Sequence, residues 1–258
     1  MSARVQKFRD LHAANGLFVL PNAWNVKSAL QFQQQQFPAI ATSSAAVAES
    51  LGYKDGEEMP FSDYLFVIRR ILAAIEIPLS VDIEMGYGIT DEDIYNNVLQ
   101  LIELGVVGIN IEDSLIYASG RVLKDAKVFA GTIAYLKNKL AAEGLDLFIN
   151  VRCDTYILNV QNKQEETKKR LKLYEAAGAD GIFLPCISVE KDIETAISNT
   201  RLPLNVMCIP GLPGFEVLEK LGVKRASMGP FLFNKVYNNV GSLSREIIGD
   251  DSFQPILS

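Results

Sequence analysis

A chain of 258 residues, 48% hydrophobic and 22% charged, is long enough for one large α/β barrel and too apolar to be disordered. A net charge of −6 with no basic block argues against a phosphate-backbone binder, so no nucleic-acid partner is expected. No apolar run approaches the roughly 18 residues of a membrane span, and the amphipathic start MSARVQKFRDLHAANG does not read as a signal peptide. With three cysteines and no CxxC pair, the expected setting is a reduced cytoplasm, away from membranes.

Along the chain, short apolar runs bounded by Gly, Pro or polar residues alternate with amphipathic stretches. LFVLP (17–21) and PAIATSS (38–44) read as the first two strands, and the glutamines at 33–36 between them fit a solvated helix face. The stretch 62–75 carries apolar residues at helical spacing and leads into PLSVDIE (78–84). A second helix, 91–105, starts with acids and ends in Gly, and VGINIED (107–113) follows it. LFINVRC (147–153), the helix 164–178 and GIFLPC (181–186) come next, then PLNVMC (203–208) and RASMG (225–229). Eight strands alternating with helices predict a closed (β/α)8 TIM barrel rather than an open doubly wound sheet. The expected organisation is one domain over 1–258, with an N-terminal helix and a short C-terminal helical extension.

In such a barrel the chemistry sits at the C-terminal ends of the strands. Strand alternation places Ser80, Asp82 and Glu84 on one face of the third strand, with Val81 and Ile83 on the other. The same rule turns Asn110 and Glu112 inward on the fourth strand, and Asn150 and Arg152 inward on the fifth. Asp82, Glu84 and Glu112 thus converge on one mouth with a single arginine, which leaves negative charge uncompensated. A hard divalent cation, Mg²⁺ or Mn²⁺, is the simplest counter-charge for such oxygen ligands. The competing explanation is a solvated acidic rim with Arg152 in an ordinary ion pair.

Other chemistries fit poorly. His12 is the only histidine and lies on the first helix, which argues against a Ser-His-Asp triad or a His-ligated zinc. No strand ends in lysine, against a Schiff-base aldolase. Cys153, Cys186 and Cys208 end strands five to seven, where cysteine is most often a small core residue. SMGPF (227–231) offers only weak grounds for a phosphate site. Trp24, just after the first strand, is either a packing residue or a wall of the ligand pocket.

DIEMGYG (82–88), IED (111–113) and the strand-five arginine of NVRCD together resemble the isocitrate lyase and phosphoenolpyruvate mutase superfamily. That group carries Asp-x-Asp-x-Gly-aromatic-Gly after strand three; here Glu84 replaces the second Asp. TSSAAVAESLGYKDGE (42–57), PNAWNVKSA (21–29) and AAGADGIFLP (176–185) extend the likeness over residues 8 to 230. The resemblance implies a Mg²⁺ enzyme that handles a small carboxylate, a pyruvate-like 2-oxo acid, through an enolate-like species. By the same likeness Asp82 would bind the metal directly, and Glu84 and Glu112 through water. Arg152 and the backbone N–H groups near Ser43 and Ser44 would stabilise the enolate oxygen and the carboxylate, with Trp24, Gly86 and Tyr87 among the substrate-binding residues. Asp55 would lie beside the bond being broken. The resemblance also implies homo-oligomers, dimers or tetramers that exchange or pack their last helices.

The stretch SLIYASGRVLKD (114–125) departs from the group. It lacks the Lys-Lys-Cys-Gly-His type loop of the isocitrate lyases and the Lys-x-Asn-Ser pattern of the phosphonate enzymes, and Pro185 stands where those enzymes tend to have a histidine. A lyase or decarboxylase is the favoured expectation. C–P bond chemistry of the mutase or hydrolase kind, or a lapsed enzyme that still binds metal or ligand, are the alternatives. Residues 114–125, with Gly120 among small or polar neighbours, are expected to form a mobile lid.

Overall fold

The structure is a computed structural model that describes residues 3–257; residues 1, 2 and 258 of the predicted domain lie outside the described residues. All eight predicted runs form strands, and the first is broken in two. β1 (Phe18–Leu20) and β2 (Asn22–Ala23) flank Pro21, which has no N–H to give to a ladder. β3 (Ile40–Thr42), β4 (Leu79–Asp82) and β5 (Gly108–Glu112) follow. β6 (Ser114–Tyr117) and β7 (Gly120–Leu123) form an antiparallel hairpin of their own. β8 (Phe148–Arg152), β9 (Gly181–Leu184), β10 (Leu204–Met207) and β11 (Arg225–Ser227) complete the set. Parallel pairing runs β1-β11-β10-β9-β8-β5-β4-β3-β2. Because β1 and β2 belong to one chain segment, the ring closes on itself and the predicted TIM barrel results.

Helices sheath the barrel: α1 (Ala3–Ala13), α2 (Val26–Gln34), α3 (Ser44–Ser50), α4 (Phe61–Leu72) and α5 (Asp91–Leu104). α6 (Ala126–Ala142), α7 (Lys163–Ala176), α8 (Glu190–Ile197), α9 (Phe215–Leu221) and α10 (Phe231–Asp250) follow. α5 shows how local chemistry sets the ends. Thr90 and Asp93 form a reciprocal capping box, and Gly105 takes the left-handed conformation at φ 97° that ends the helix. Of the glutamines, Gln33 does more than face water: its side-chain carbonyl accepts from the N–H groups of Glu76 and Ile77, tying α2 to the segment before β4. The 20-residue α10 follows β11, and a short 3₁₀ turn, Gln254–Ile256, comes after it.

Two apolar layers hold the barrel. The outward strand residues, such as Val81, Ile109, Ile149 and Ile182, pack under the helices in one continuous core. The second layer is a plug at the N-terminal end, where α1 inserts Phe8 and His12 against Leu20, Ala39, Ala41 and Phe148. The His12 ring lies 4.1 Å from that of Phe148, and its Nδ1 lies 2.9 Å from the Phe8 carbonyl. The stable end of the barrel is thus apolar and closed, which leaves the opposite end for chemistry.

Burial pushes the His12 imidazole down to about 3, and the nearby Arg225 charge adds to the effect. An unfolded histidine titrates near 6.5, so below that pH the unfolded chain binds more protons than the folded one. The stability contributed by neutral His12 is complete above about pH 6.5 and is lost as pH falls toward 3, at up to about 1.4 kcal/mol per pH unit. His12→Leu should therefore flatten the acid side of the stability profile in urea denaturation between about pH 7 and 4.5. Equal slopes for both chains would contradict a buried neutral imidazole.

Candidate active site at the C-terminal mouth of the barrel

β4 delivers Asp82 to the mouth. Its backbone N–H donates to Thr42 Oγ1 at 3.1 Å and its carbonyl accepts from Tyr64 Oη at 2.9 Å, so the strand end is fixed on both sides. The Asp82 carboxylate accepts from Ser44 Oγ at 3.1 Å and at the longer distance of 3.5 Å from the Glu84 N–H. The strand stops there, which corrects the alternation reading of Glu84. Glu84 sits in a turn at φ 51°, and Gly86 and Tyr87 also have positive φ. A β-carbon at Gly86 would meet the Ile94 side chain at 2.8 Å, so only glycine fits. The turn still buries the Glu84 carboxylate, which accepts from the Glu57 N–H at 2.8 Å and from Tyr87 Oη at 3.0 Å.

β5 and β8 deliver the opposing charges. Arg152 Nε donates to Asp154 Oδ1 at 2.6 Å and Nη2 to Oδ2 at 3.3 Å, while Nη1 lies 2.8 Å from Glu112 Oε2. The planar fork is held in one orientation by two buried carboxylates. Asp113 turns the other way. It accepts from Arg170 at 2.9 Å and Tyr174 at 2.6 Å, and its Oδ1 accepts from the Asp154 N–H at 2.8 Å. Asp113 therefore positions Asp154, which positions Arg152.

Within the predicted lid, residues 114–123 form the β6–β7 hairpin, and its inward residue is Arg121. The Arg121 guanidinium contacts Glu112, donates to Ser114 Oγ at 2.7 Å and Asp154 Oδ2 at 3.2 Å, and lies 3.7 Å from Asp55. Ile116 of the same hairpin packs so closely on the Asp55 loop that a β-carbon at Gly56 would meet it at 2.6 Å. Arg121 and Asp154 escaped the sequence reading. The signal for the first was present as two alternating apolar pieces, SLIY and RVL, separated by a small-residue turn. Asp154 lay two residues beyond Arg152 in the stretch NVRCD.

These groups surround a cavity of about 280 Å³ lined by Asp55, Asp82, Arg121, Arg152, Ser43 and Ser44 among others. Glu84 and Glu112 sit behind its wall. Gly86 and Tyr87 shape the Glu84 turn and do not line the cavity. Neither does Trp24, which is buried edge-on to Phe233 at 5.4 Å, so its packing role is the one the geometry supports. Cys153 is buried in the core, Cys186 is half-buried and Cys208 is exposed. A larger apolar groove of about 560 Å³ lies elsewhere, outside β1 and β11 between α9 and α10.

The electrostatics of the mouth are unbalanced. Asp55, Asp82, Glu84, Glu112 and Asp154 face Arg121 and Arg152, five carboxylates against two guanidinium groups. Burial, and then the charges of Asp55, Asp82 and Glu112, push Glu84 up to about 8. Burial raises Asp82 as well, against the pull of Arg152. Burial likewise raises Glu112, with Arg152 and Arg121 opposing it. The donors at the mouth are hard oxygens, and Asp82 presents to the cavity a carboxylate held by only one short hydrogen bond. Among the described residues no three acidic, His or Cys side chains enclose a point by themselves. Mg²⁺ fits that arrangement, because it takes one or two carboxylates and keeps several waters.

The chain matches the phosphoenolpyruvate phosphomutase family over residues 8–248. An uncharacterised protein of Mycobacterium tuberculosis is 36% identical over 222 residues, covering 86% of this chain and 81% of that protein. Oxaloacetate decarboxylase 1 of Pseudomonas fluorescens is 27% identical over 224 residues, covering 85% of this chain and 76% of the relative. The crystal structure of a phosphonopyruvate hydrolase with oxalate and Mg²⁺ superposes with a TM-score of 0.87 at 23% identity, covering 99% of this chain and 90% of the other.

Proposed function

The chain is an enzyme of the phosphoenolpyruvate mutase family, within the isocitrate lyase superfamily, and we propose that it is a Mg²⁺-dependent lyase or decarboxylase of a small 2-oxo acid. The observation that carries this reading is the surplus of carboxylates around a cavity with Arg152 in its wall. A cavity of about 280 Å³ is at the small end for ligand sites and suits a compact acid. Relatives named for oxaloacetate decarboxylation and methylisocitrate cleavage support C–C chemistry.

In this reading Asp82 would hold the metal directly, and Glu84 and Glu112 would hold it through water. When bound, Mg²⁺ supplies Lewis-acid stabilisation of negative charge on the substrate oxygens. The chain supplies the rest. Arg152 presents a fixed fork of donors toward the 2-oxo and carboxylate oxygens, where charge grows as the bond beside the ketone breaks. Ser43 and Ser44, at the start of α3, face the same oxygens from the other wall. Asp55, on the loop under the hairpin, lies beside the scissile bond, and Arg121 restrains it. The hairpin roof keeps water from the enolate-like species.

A panel of C–C and C–P 2-oxo acids, assayed with Mg²⁺ for pyruvate release, tests the proposal. Turnover of at least one C–C substrate, abolished by chelation, is expected. Arg152→Lys keeps the charge but loses the fork, and loss of one such contact costs about 10²–10³-fold in turnover. The variant should melt within a few degrees of wild type. An early-melting variant with normal turnover per folded molecule would assign Arg152 to the scaffold. No turnover of any member of the panel, with Mg²⁺ and oxalate still bound, would favour the lapsed-enzyme alternative.

We also infer a homo-oligomer built through α10. Only Phe233 of this helix is buried, while Val236, Tyr237, Val240 and Ile248 are exposed along it. Beside its base lies the apolar groove lined by Val19, Ile209, Leu212, Phe215 and Met228. An exposed apolar helix and an uncovered apolar groove on one chain complement each other between two copies. Light scattering should report a dimer or tetramer, and Val240→Asp should shift it toward monomer. A monomeric wild-type chain would contradict this.

A further inference from the structure

Below Asp82 the barrel interior is polar, at a level where such barrels are usually filled by branched apolar side chains. Arg225 of β11 is fully buried and reaches across to β5, where its Nη2 donates to Asn110 Oδ1 at 3.0 Å. That same oxygen accepts from Asn150 Nδ2 at 2.9 Å. Arg225 Nε and Nη1 have no hydrogen-bond partner among the described protein atoms. Both ends of the Asn205 amide, the Ser80 hydroxyl and His12 Nε2 are also unpartnered and buried. Asn205 pairs with Arg225 in the β10–β11 register, Ser80 lies two residues below Asp82 on β4, and His12 faces Arg225 from the plug.

Unsatisfied donors on a buried charge are unfavourable, so keeping a guanidinium at this level costs the barrel free energy. No carboxylate forms an ion pair with Arg225 among the described residues, and its partner Asn110 stands opposite Asp82 in the β4–β5 register. Arg225 is therefore a buried guanidinium with no ion-pair partner among the described residues, lodged between the apolar plug and the acid ring. It is fully buried, and Asn110, itself held by Asn150, accepts its one side-chain hydrogen bond.

We propose that Arg225 is a positioning residue of the metal site, a fixed cation under Asp82 that steadies the acid ring in metal-free protein and weakens binding of a bare divalent ion. The inference rests on the reading of Asp82 as the metal ligand. A positive charge there repels a divalent ion through a medium of low dielectric. Bare metal is consequently held loosely, and firm binding requires an anionic ligand to arrive with it. The metal site is thereby coupled to substrate occupancy.

The test is calorimetric titration of Mn²⁺, at one fixed pH and ionic strength, into wild type, Arg225→Met, Arg225→Gln and Arg225→Lys, with no keto acid present. The two neutral variants should bind Mn²⁺ about tenfold tighter or more, and Arg225→Lys should stay within about threefold of wild type. A purely structural role would leave affinity unchanged or lower it in the folded neutral variants, and either result overturns the proposal. Should neither neutral chain fold, the wild-type protein decides. Oxalate should tighten its Mn²⁺ binding at least about tenfold, and equal affinity with and without oxalate overturns the proposal. Wild-type protein that binds no Mn²⁺ in either condition would instead refute the metal site itself, and the inference with it.

Discussion

The structure depends on keeping several carboxylates close together at one end of the barrel without neutralising them. An isolated buried carboxylate is expensive, and like charges in one site make it more so. The mouth manages this with geometry. Arg152 is clamped by Asp154 and Glu112, Arg121 bridges Glu112, Asp154 and Asp55, and Asp113 with Arg170 fixes the backbone of Asp154. What these pairs leave over are the carboxyl groups of Asp82 and Glu84, which have no cationic partner. Burial and repulsion answer by pushing Glu84 up to about 8.

The rest of the fold makes that arrangement affordable. The sheathing helices and the α1 plug bury a continuous apolar core and place it away from the mouth. Stability therefore resides in the shell and the plug, and the strand ends are free to carry groups that destabilise one another. The polar chamber around Arg225 lies at the boundary. It passes the influence of a fixed charge upward to Asp82 and downward to His12, which it helps to keep neutral.

Much of this was legible in the sequence, for identifiable reasons. Short apolar runs closed by Gly or Pro announced the strands, and period-two alternation correctly turned Asp82, Glu112 and Arg152 into the barrel. Alternation failed at Glu84 because the strand had already ended, and a left-handed turn carried the carboxylate to the mouth by another route. Arg121 was missed because a hairpin can hide in a stretch that resembles a polar loop, and its ion pairs join residues 55, 112 and 154, which are far apart in sequence. The same limit applies to Arg225: nothing in RASMG distinguishes a solvated arginine from one that spans a barrel.

The central claim is that the acid surplus at the mouth is a divalent-cation site built around Asp82. Anomalous diffraction from crystals of the wild-type protein grown with Mn²⁺ and oxalate tests it most directly. The account predicts one strong peak within coordination distance of an Asp82 carboxylate oxygen, with Glu84 and Glu112 a water layer further away and oxalate between the metal and Arg152. A cavity holding oxalate but no metal, or a metal bound away from Asp82, would contradict it.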